Sequence, residues 1–550
     1  MGNLSKGWIR VSCVQDGHLG IAWGGAGPTV PAVCCFVAAT PIKPEPHKCE
    51  ESECYYLPPA APSPMTPCEG AGNASAAKIR LPTVKTGINT PQTVEGKWWI
   101  NGEDKPSHFG VLSFDPEAGL ELVVKLPQSR GVGEVVWGCL NKAEGTECGV
   151  PKIIFGADEN DRPLTLFGCY CPGPEGSMGL ETFRISSVAC LRNIRSRSFR
   201  AVQFPAVSVR YTHFHQWMRR QIPGNYSGGN DLPDIVVEIE EGVSCRIRPS
   251  ILRSVSLDEQ KLKFDHHVAF HFSEARPLQT VREDYVGVFL RLMCLLTGQR
   301  VFCDKITFLN RDPNLPSLED LQSVELLQKC SGITRATRKC SWVDMVTNYK
   351  EVEESFAPVV RKWFQVHRVL EPVVELLLAV KSNRPSTIES QFLFLAQALE
   401  VYHSRNPQFS SVEHPVDQHR TKVKQIICSA PKEHRKWLAG KLAFANQKTL
   451  AARIDEVLAL HPAEVSVLTQ GIEAFGEKVR HTRNYYTHYH QGLLKKKRIA
   501  EGSELIRITF ALEALLQICL LKELGISGEP IGRILNTIRQ MQIISPYTDS

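Results

Sequence analysis

Arg483, Asn484 and His488 place an always-cationic guanidinium, an amide and an imidazole within about two turns of a helix. Asn484 and His488 are four apart and share a helix face. Arg483 and His488 are five apart, about 140° round the axis, and so flank a groove. These groups suit the cutting of RNA, which carries its own nucleophile in the 2′-OH. That hydroxyl must lose a proton, the phosphorane's charge must be stabilised, and the departing 5′-oxygen must gain a proton. Histidine serves the proton steps because its unperturbed pKa is near ~6.5. Arginine serves the phosphorane, being always charged and presenting a forked array of donors. Asparagine holds the phosphate or fixes the imidazole's orientation. This chemistry calls for no metal or other cofactor. It yields a 2′,3′-cyclic phosphate and leaves DNA intact. A second copy of the site across a two-fold axis would complete a symmetric pocket.

Spacing from arginine to histidine does not single out this stretch. Arg210 and His215 match it, as do Arg361 and His367, in a chain with 17 histidines. The first pair lies in a β-rich region and the second lacks an asparagine after the arginine, so both read as surface or packing residues. Three features distinguish the stretch at 483: Asn484 itself, aromatic and hydroxyl residues in the gap, and flanking helical segments. His490 also matches, six residues being interposed, and competes with His488 as the catalytic imidazole; His481 is a weaker competitor. Lys495, Lys496, Lys497 and Arg498 follow about two turns on. They read as a contact for the RNA backbone or as a solvated basic face. Glu400, near the end of an earlier helix, is placed to pair with Arg483 or His488 across a bundle.

That bundle is expected over 384–540, all α. One helix runs from Pro385-Ser-Thr387 to Tyr402, with Phe392, Leu395, Leu399 and Tyr402 at spacings of 3 and 4. Further helices cover Thr421–Cys428, Lys432–Ala445 and Ile454–Leu460, the last broken at His461-Pro462. Leu468, Ile472, Phe475 and Val479 read as a helical stripe leading into the motif. The final helix is Glu504–Leu524, apolar nearly all round and stopped by Gly525. Upstream, 93–275 carries short β-like runs between turn signals and predicts a sandwich or barrel-like β-rich domain. Residues 276–383 read as a mixed, mostly helical connecting region. Phe356 to Val380 there carries the stripe Val359, Val360, Phe364, Val366, Leu370, Val373, Val374 and Leu377. Residues 1–92, proline- and cysteine-rich and aperiodic, read as a disordered leader or as a gene start placed too early, with Met65 an alternative start. The fold class is therefore α+β and multidomain.

Bulk properties narrow the function. A net charge of +6 and pI near 8.5 suit a nucleic-acid partner without requiring one. The 18 cysteines include no Cys-x-x-Cys pair, so the usual structural zinc signature is missing. Buried thiols in a reducing cytoplasm are expected. No apolar run reaches the ~18 residues that span a membrane.

Arg483-Asn484-x-x-x-His488 between an amphipathic helix and a long apolar one resembles the HEPN domain (higher eukaryotes and prokaryotes nucleotide-binding). Phe392-Leu-Phe-Leu-Ala-Gln-Ala-Leu-Glu-Val-Tyr-His403, followed by Thr482-Arg-Asn-Tyr-Tyr-Thr-His-Tyr489, is similar to the bacterial ApeA-type HEPN proteins. Gly96-Lys-Trp-Trp99, Gly110-Val-Leu112 and Gly119-Leu-Glu-Leu122 resemble that family's β-rich N-terminal domain. The resemblance implies an abortive-infection antiphage protein with a metal-independent RNase in its helical part and a homodimer through that part. It carries over Arg483, Asn484 and His488 as site residues. RNA is the substrate, a phage-derived trigger is expected, and the N-terminal domain serves sensing or specificity. Two other readings predict different behaviour: a non-catalytic RNA-binding scaffold, or an HEPN protein that transfers nucleotides.

Overall fold

A computed structural model of the protein describes residues 91–99, 108–127, 152–171, 174–177, 180–220, 233–255, 260–311, 321–330, 332, 340–382, 387–489, 492 and 499–544. Of the leader read over 1–92, residues 1–90 lie outside them, as do residues 134–137 of the region read as β-rich.

The N-terminal part is a single sheet of 14 strands among the described residues. In chain order they are β1 (Gln92–Trp99), β2 (His108–Asp115), β3 (Gly119–Pro127), β4 (Lys152–Asp158), β5 (Pro163–Cys169), β6 (Pro174–Ser177) and β7 (Leu180–Ser187). Then come β8 (Ala189–Arg192), β9 (Gln203–Tyr211), β10 (Ile235–Glu240), β11 (Val243–Val255), β12 (Gln260–Pro277), β13 (Cys303–Arg311) and β14 (Leu321–Gln328). Their order across the sheet is β10-β11-β12-β9-β13-β14-β8-β5-β4-β1-β2-β3-β7-β6. Every pairing is antiparallel. Strands β13 and β14, within the connecting region, therefore sit in mid-sheet.

One end of the sheet rolls up. Tyr170, just past β5, exchanges backbone hydrogen bonds of 2.9 and 2.8 Å with Ser186 of β7, so the run β5-β4-β1-β2-β3-β7 returns on itself. Alternate residues of these strands fill the roll: Trp98, Leu112, Leu122, Ile154, Leu166 and Phe183 are buried there. Trp98 lies flat over Gly156, where a Cβ would come within 2.4 Å of the indole. Glycine is required at that position by close approach.

The other end keeps an open face, and helices cover it. α1 (Phe214–Met218), α2 (Val288–Thr297) and α3 (Phe356–Lys381) pack there against Val207, Val209, Ile247, Phe270 and Phe308. The stripe read on α3 is buried as expected, and Trp363 and His367 join it. Trp363 Nε1–H donates to the Val288 carbonyl at 2.8 Å. α3 bends at Leu370, where φ is −103° and ψ 16°, two residues before Pro372.

The helical bundle follows: α4 (Ile388–Arg405), α5 (Val416–Ser429), α6 (Lys432–Leu442), α7 (Leu450–Ala459), α8 (Pro462–Leu468), α9 (Phe475–His488), α10 (Gly502–Glu523) and α11 (Glu529–Ile544). Thr387 caps α4 by accepting from Ser390 N–H, and the arginine–histidine motif falls on α9. Two expectations are corrected. The stripe Leu468–Val479 is not one helix: α8 stops at Leu468, Gly471 and Ala474 take left-handed φ of 71° and 47°, and α9 starts afresh. Glu504–Leu524 is buried nearly all round but is not the last helix, because α11 follows and packs on it.

One contiguous apolar core runs from the open sheet face through α2 and α3 into the bundle as far as Ile538. Polar contacts cross the same junction. Lys381 Nζ reaches Glu513 Oε1 at 2.9 Å and Gln517 Oε1 at 3.1 Å, and Gln517 Nε2 donates to the Leu295 carbonyl at 3.3 Å. Among the described residues no helix is long and apolar enough to cross a membrane. The described cysteines are all free, and Cys169, Cys171, Cys190, Cys245, Cys294 and Cys519 are buried.

Imidazoles lie buried, as His367 on α3, or half-buried, as His267 and His271 on β12. Burial is the largest cause that pushes His267, His271 and His367 down to about 4. Their unfolded value is near ~6.5, so between the two the unfolded chain binds more protons. Their contribution to stability is therefore whole above about pH 6.5 and lost as pH falls through about 4. Thermal unfolding is expected at a lower temperature at pH 4.5 than at pH 7, with the gap narrowed by His367→Leu. An unchanged gap in that variant would remove His367 from the account.

Candidate active site

The site is built on α9, whose two faces have different duties. Phe475, Val479 and Thr482 are buried, and Tyr486 lies half-buried above them. This is the i, i+4, i+7, i+11 stripe of a helix with one face on a core. At the start of the helix Gly476 crosses α7 closely, since a Cβ there would stand 2.4 Å from Asp455 Oδ1. Further along, Thr482 Oγ1 donates to the Lys478 carbonyl at 2.7 Å and accepts from Ala500 N–H at 2.9 Å. Tyr486 O–H donates to the Ala500 carbonyl at 3.4 Å, and its ring lies edge-on to Phe392 of α4. Tyr485, Tyr486 and Tyr489 form an edge-to-face trio with centroids 5.1 to 6.1 Å apart. The residues between Arg483 and His488 therefore include those that fasten the helix. Thr482→Val is expected to cost about 1–3 kcal/mol by orphaning the buried Ala500 N–H. Urea unfolding measures this, and a loss below ~0.5 kcal/mol would mean that the bond is replaced.

Arg483, Asn484, Thr487 and His488 face outward. Arg483 Nη1 donates to Asn484 Oδ1 at 3.3 Å, and Nη2 stands 3.7 Å from Glu400 Oε2 on α4. The pair Arg483–Glu400 is about one-third exposed on each side, so it contributes little to stability. Its consequence is positional: the guanidinium is held loosely between an amide and a carboxylate, and an incoming phosphate can displace the carboxylate. His488 is the last residue of α9 and is exposed. Behind it Tyr489 turns the chain with φ of 50°, a left-handed cap of the kind that ends helices.

Of the residues read from sequence, the structure brings Arg483, Asn484 and Glu400 into contact and sets His488 one turn along from Asn484. His490 and Lys495–Arg498 lie outside the described residues. His481 is turned away, mostly buried, 3.3 Å from Glu477 and in contact with Arg480. The two other arginine–histidine pairs are engaged in packing. Arg210 pairs with Asp304 and Asp265, and His215 stacks on His266. Arg361 donates to the Glu238 carbonyl at 2.7 Å, and His367 is buried.

Sequence reading did not anticipate the supports behind the site. His403, one turn beyond Glu400 on α4, is buried and meets Glu456 of α7 at 2.7 Å. Lys448 binds the same carboxylate. Burial holds the His403 imidazole below its ordinary range despite that neighbour. Deeper in, Glu523 accepts from Tyr402 O–H at 2.9 Å and Asn406 Nδ2 at 2.6 Å, which locks α4 to α10. The only available signal was the polar run Tyr402-His403-x-x-Asn406 at the end of an apolar helix. Among the described residues no group of three or more His, Cys, Asp or Glu side chains is arranged to hold a metal ion.

A helical bundle that presents Arg-Asn-x-x-x-His on an outer helix face, fused to an antiparallel sheet, defines an HEPN-bearing protein. Residues 393–530 match the family model described as Apea-like HEPN, and residues 93–363 match that of ApeA N-terminal domain 1. With both matches in this order, the chain carries an ApeA N-terminal domain followed by an Apea-like HEPN domain. HEPN domains are typically ribonucleases. The N-terminal match ends at Trp363, inside α3, where sheet and bundle share their core. No curated protein and no solved structure matches the chain.

Proposed function

We propose that the protein is a metal-independent endoribonuclease acting in abortive-infection defence against phage. The observation that carries this reading is the Arg483 guanidinium, held between Asn484 and Glu400 on the exposed face that ends in His488. A phosphodiester docks on Arg483 in place of Glu400, with Asn484 as a second donor. His488 moves the proton, either taking it from the 2′-OH or giving it to the 5′-oxygen. The 2′-oxygen bonds to phosphorus as the P–O5′ bond breaks. A 2′,3′-cyclic phosphate and a 5′-OH end result, and Arg483 neutralises the charge that builds on the phosphorane. Each chain supplies one such set. A homodimer through the bundle juxtaposes two sets, so one imidazole serves as base and the other as acid. The sheet domain senses a phage-derived trigger.

The test is expression of wild type beside His488→Ala in bacteria. RNA degradation and growth arrest confined to wild type are expected. RNA binding without cleavage products in both strains would favour a non-catalytic scaffold.

A further inference from the structure

We infer that the helical hairpin α5–α6 is a grip for single-stranded RNA, set beside the site but separate from it. The hairpin leaves the bundle between α4 and α7, and neither of its helices has a buried residue. A helix pair without a core is marginal on its own and has surface to spend on a partner. Its root, by contrast, is fixed. Asn446 Oδ1 accepts from His414 N–H at 3.0 Å, Asn446 Nδ2 donates to the His414 carbonyl at 2.9 Å, and Glu413 N–H donates to the Asn446 carbonyl at 2.9 Å. Lys448, just beyond, joins Glu456 and so His403, one turn from Glu400. The hairpin is thus a firmly rooted projection that starts next to α4, the helix that carries Glu400.

Its chemistry selects the occupant. Between Val416 and Phe444 seven lysine and arginine side chains stand against two carboxylates. Arg435 is spent on the turn, donating to the carbonyls of Cys428 and Ala430. The other six, Arg420, Lys422, Lys424, Lys432, Lys436 and Lys441, are exposed and make no ion pair among the described residues. Two large aromatics stand among them, Trp437 at 63% exposure and Phe444 at 72%. A second copy of the chain does not fit, because a two-fold contact would set these cations against their own counterparts. Unpaired cations interleaved with exposed rings fit a polyanion that also offers flat faces, which is single-stranded nucleic acid. Backbone phosphates meet the lysines, and an unstacked base lies on Trp437. The inference rests on the ribonuclease reading only for what the grip serves.

The test uses the full chain. Binding of a fluorescein-labelled single-stranded RNA is followed by anisotropy in the His488→Ala background. There, Lys422→Gln, Lys424→Gln, Lys432→Gln, Lys436→Gln and Lys441→Gln combined should weaken binding by more than about tenfold. They should also flatten the dependence of log K on log salt by about 0.7 for each phosphate that the lysines no longer neutralise. Trp437→Ala alone should weaken it about tenfold. With His488 restored, the combined variant should raise KM for long RNA and leave cleavage of a dinucleotide unchanged. Unaltered affinity in the combined variant, with unaltered circular dichroism, overturns the proposal. Displacement of the RNA by polyglutamate at equal charge, with Trp437→Ala silent, overturns it in favour of an acidic polypeptide. A wild type that cuts neither substrate defeats the ribonuclease reading instead, and the binding arm still decides the grip.

Discussion

His488→Ala is expected to lower RNA cleavage by about 10²–10⁴-fold, the usual loss when a positioned proton carrier is removed. The fold should survive, because His488 is exposed at the last turn of α9 and its ring bears no part of the core. Surface substitutions of this kind stay within about 0.5 kcal/mol. The same protein preparation should therefore keep its melting temperature and its affinity for RNA while losing product. Arg483→Ala should lose activity by a similar factor, and Arg483→Lys should restore only part of it, since a lysine cannot offer a forked pair of donors. A His488→Ala variant with full activity would pass the role to another imidazole, and His490 would be replaced next.

Trp363→Ala should have the largest effect on stability, about 3–5 kcal/mol. Trp363 is fully buried, and its removal also leaves the Val288 carbonyl without its 2.8 Å donor. The residue stands where the N-terminal match ends, yet its cluster continues into α4 and α10. Sheet and bundle should consequently lose stability together. Denaturant unfolding followed by tryptophan fluorescence and by helix content should shift as one transition. Two separated transitions would show that the shared core does not couple the two parts. Coupling of this kind offers a physical route from the sheet to α4, which carries Glu400, and so to the hold on Arg483.

Period and burial decided how much could be read from the residues. The stripe on α3 was legible because its apolar side chains recur at 3 and 4 over a long helix. The short β-like runs between turn signals over 93–275 were legible too, and β9 and most of β12 fall among them. Strand β14 was not: Leu321-Gln-Ser-Val-Glu-Leu-Leu-Gln328 is made of helix formers with apolar residues three apart. Its pairing with β13 on one side and β8 on the other outweighs that propensity. The stripe Leu468–Val479 misled in the opposite direction. Leu468, Ile472, Phe475 and Val479 do all reach the core, but by way of two left-handed residues rather than one helix.

At the site, residue type was legible and arrangement was not. Arg483, Asn484 and His488 could be picked out, and Glu400 named as a partner, from spacing and bundle logic. What separates them from Arg361 and His367 is direction: Arg361 turns to a sheet carbonyl and His367 into the core. The support from α7 through Glu456 was hidden because His403 and Glu456 are 53 residues apart and meet only in the fold.

The central claim is that the RNA's own 2′-OH is the nucleophile and that Arg483 and His488 suffice to use it. The most direct measurement is cleavage of one short RNA in EDTA, beside the same strand with a single 2′-deoxy substitution at the cleaved nucleotide. The account predicts that the all-RNA strand is cut to a 2′,3′-cyclic phosphate and a 5′-OH, and that the substituted strand survives at that position. Cleavage of both strands alike, or products ending in a 5′-phosphate, would contradict it.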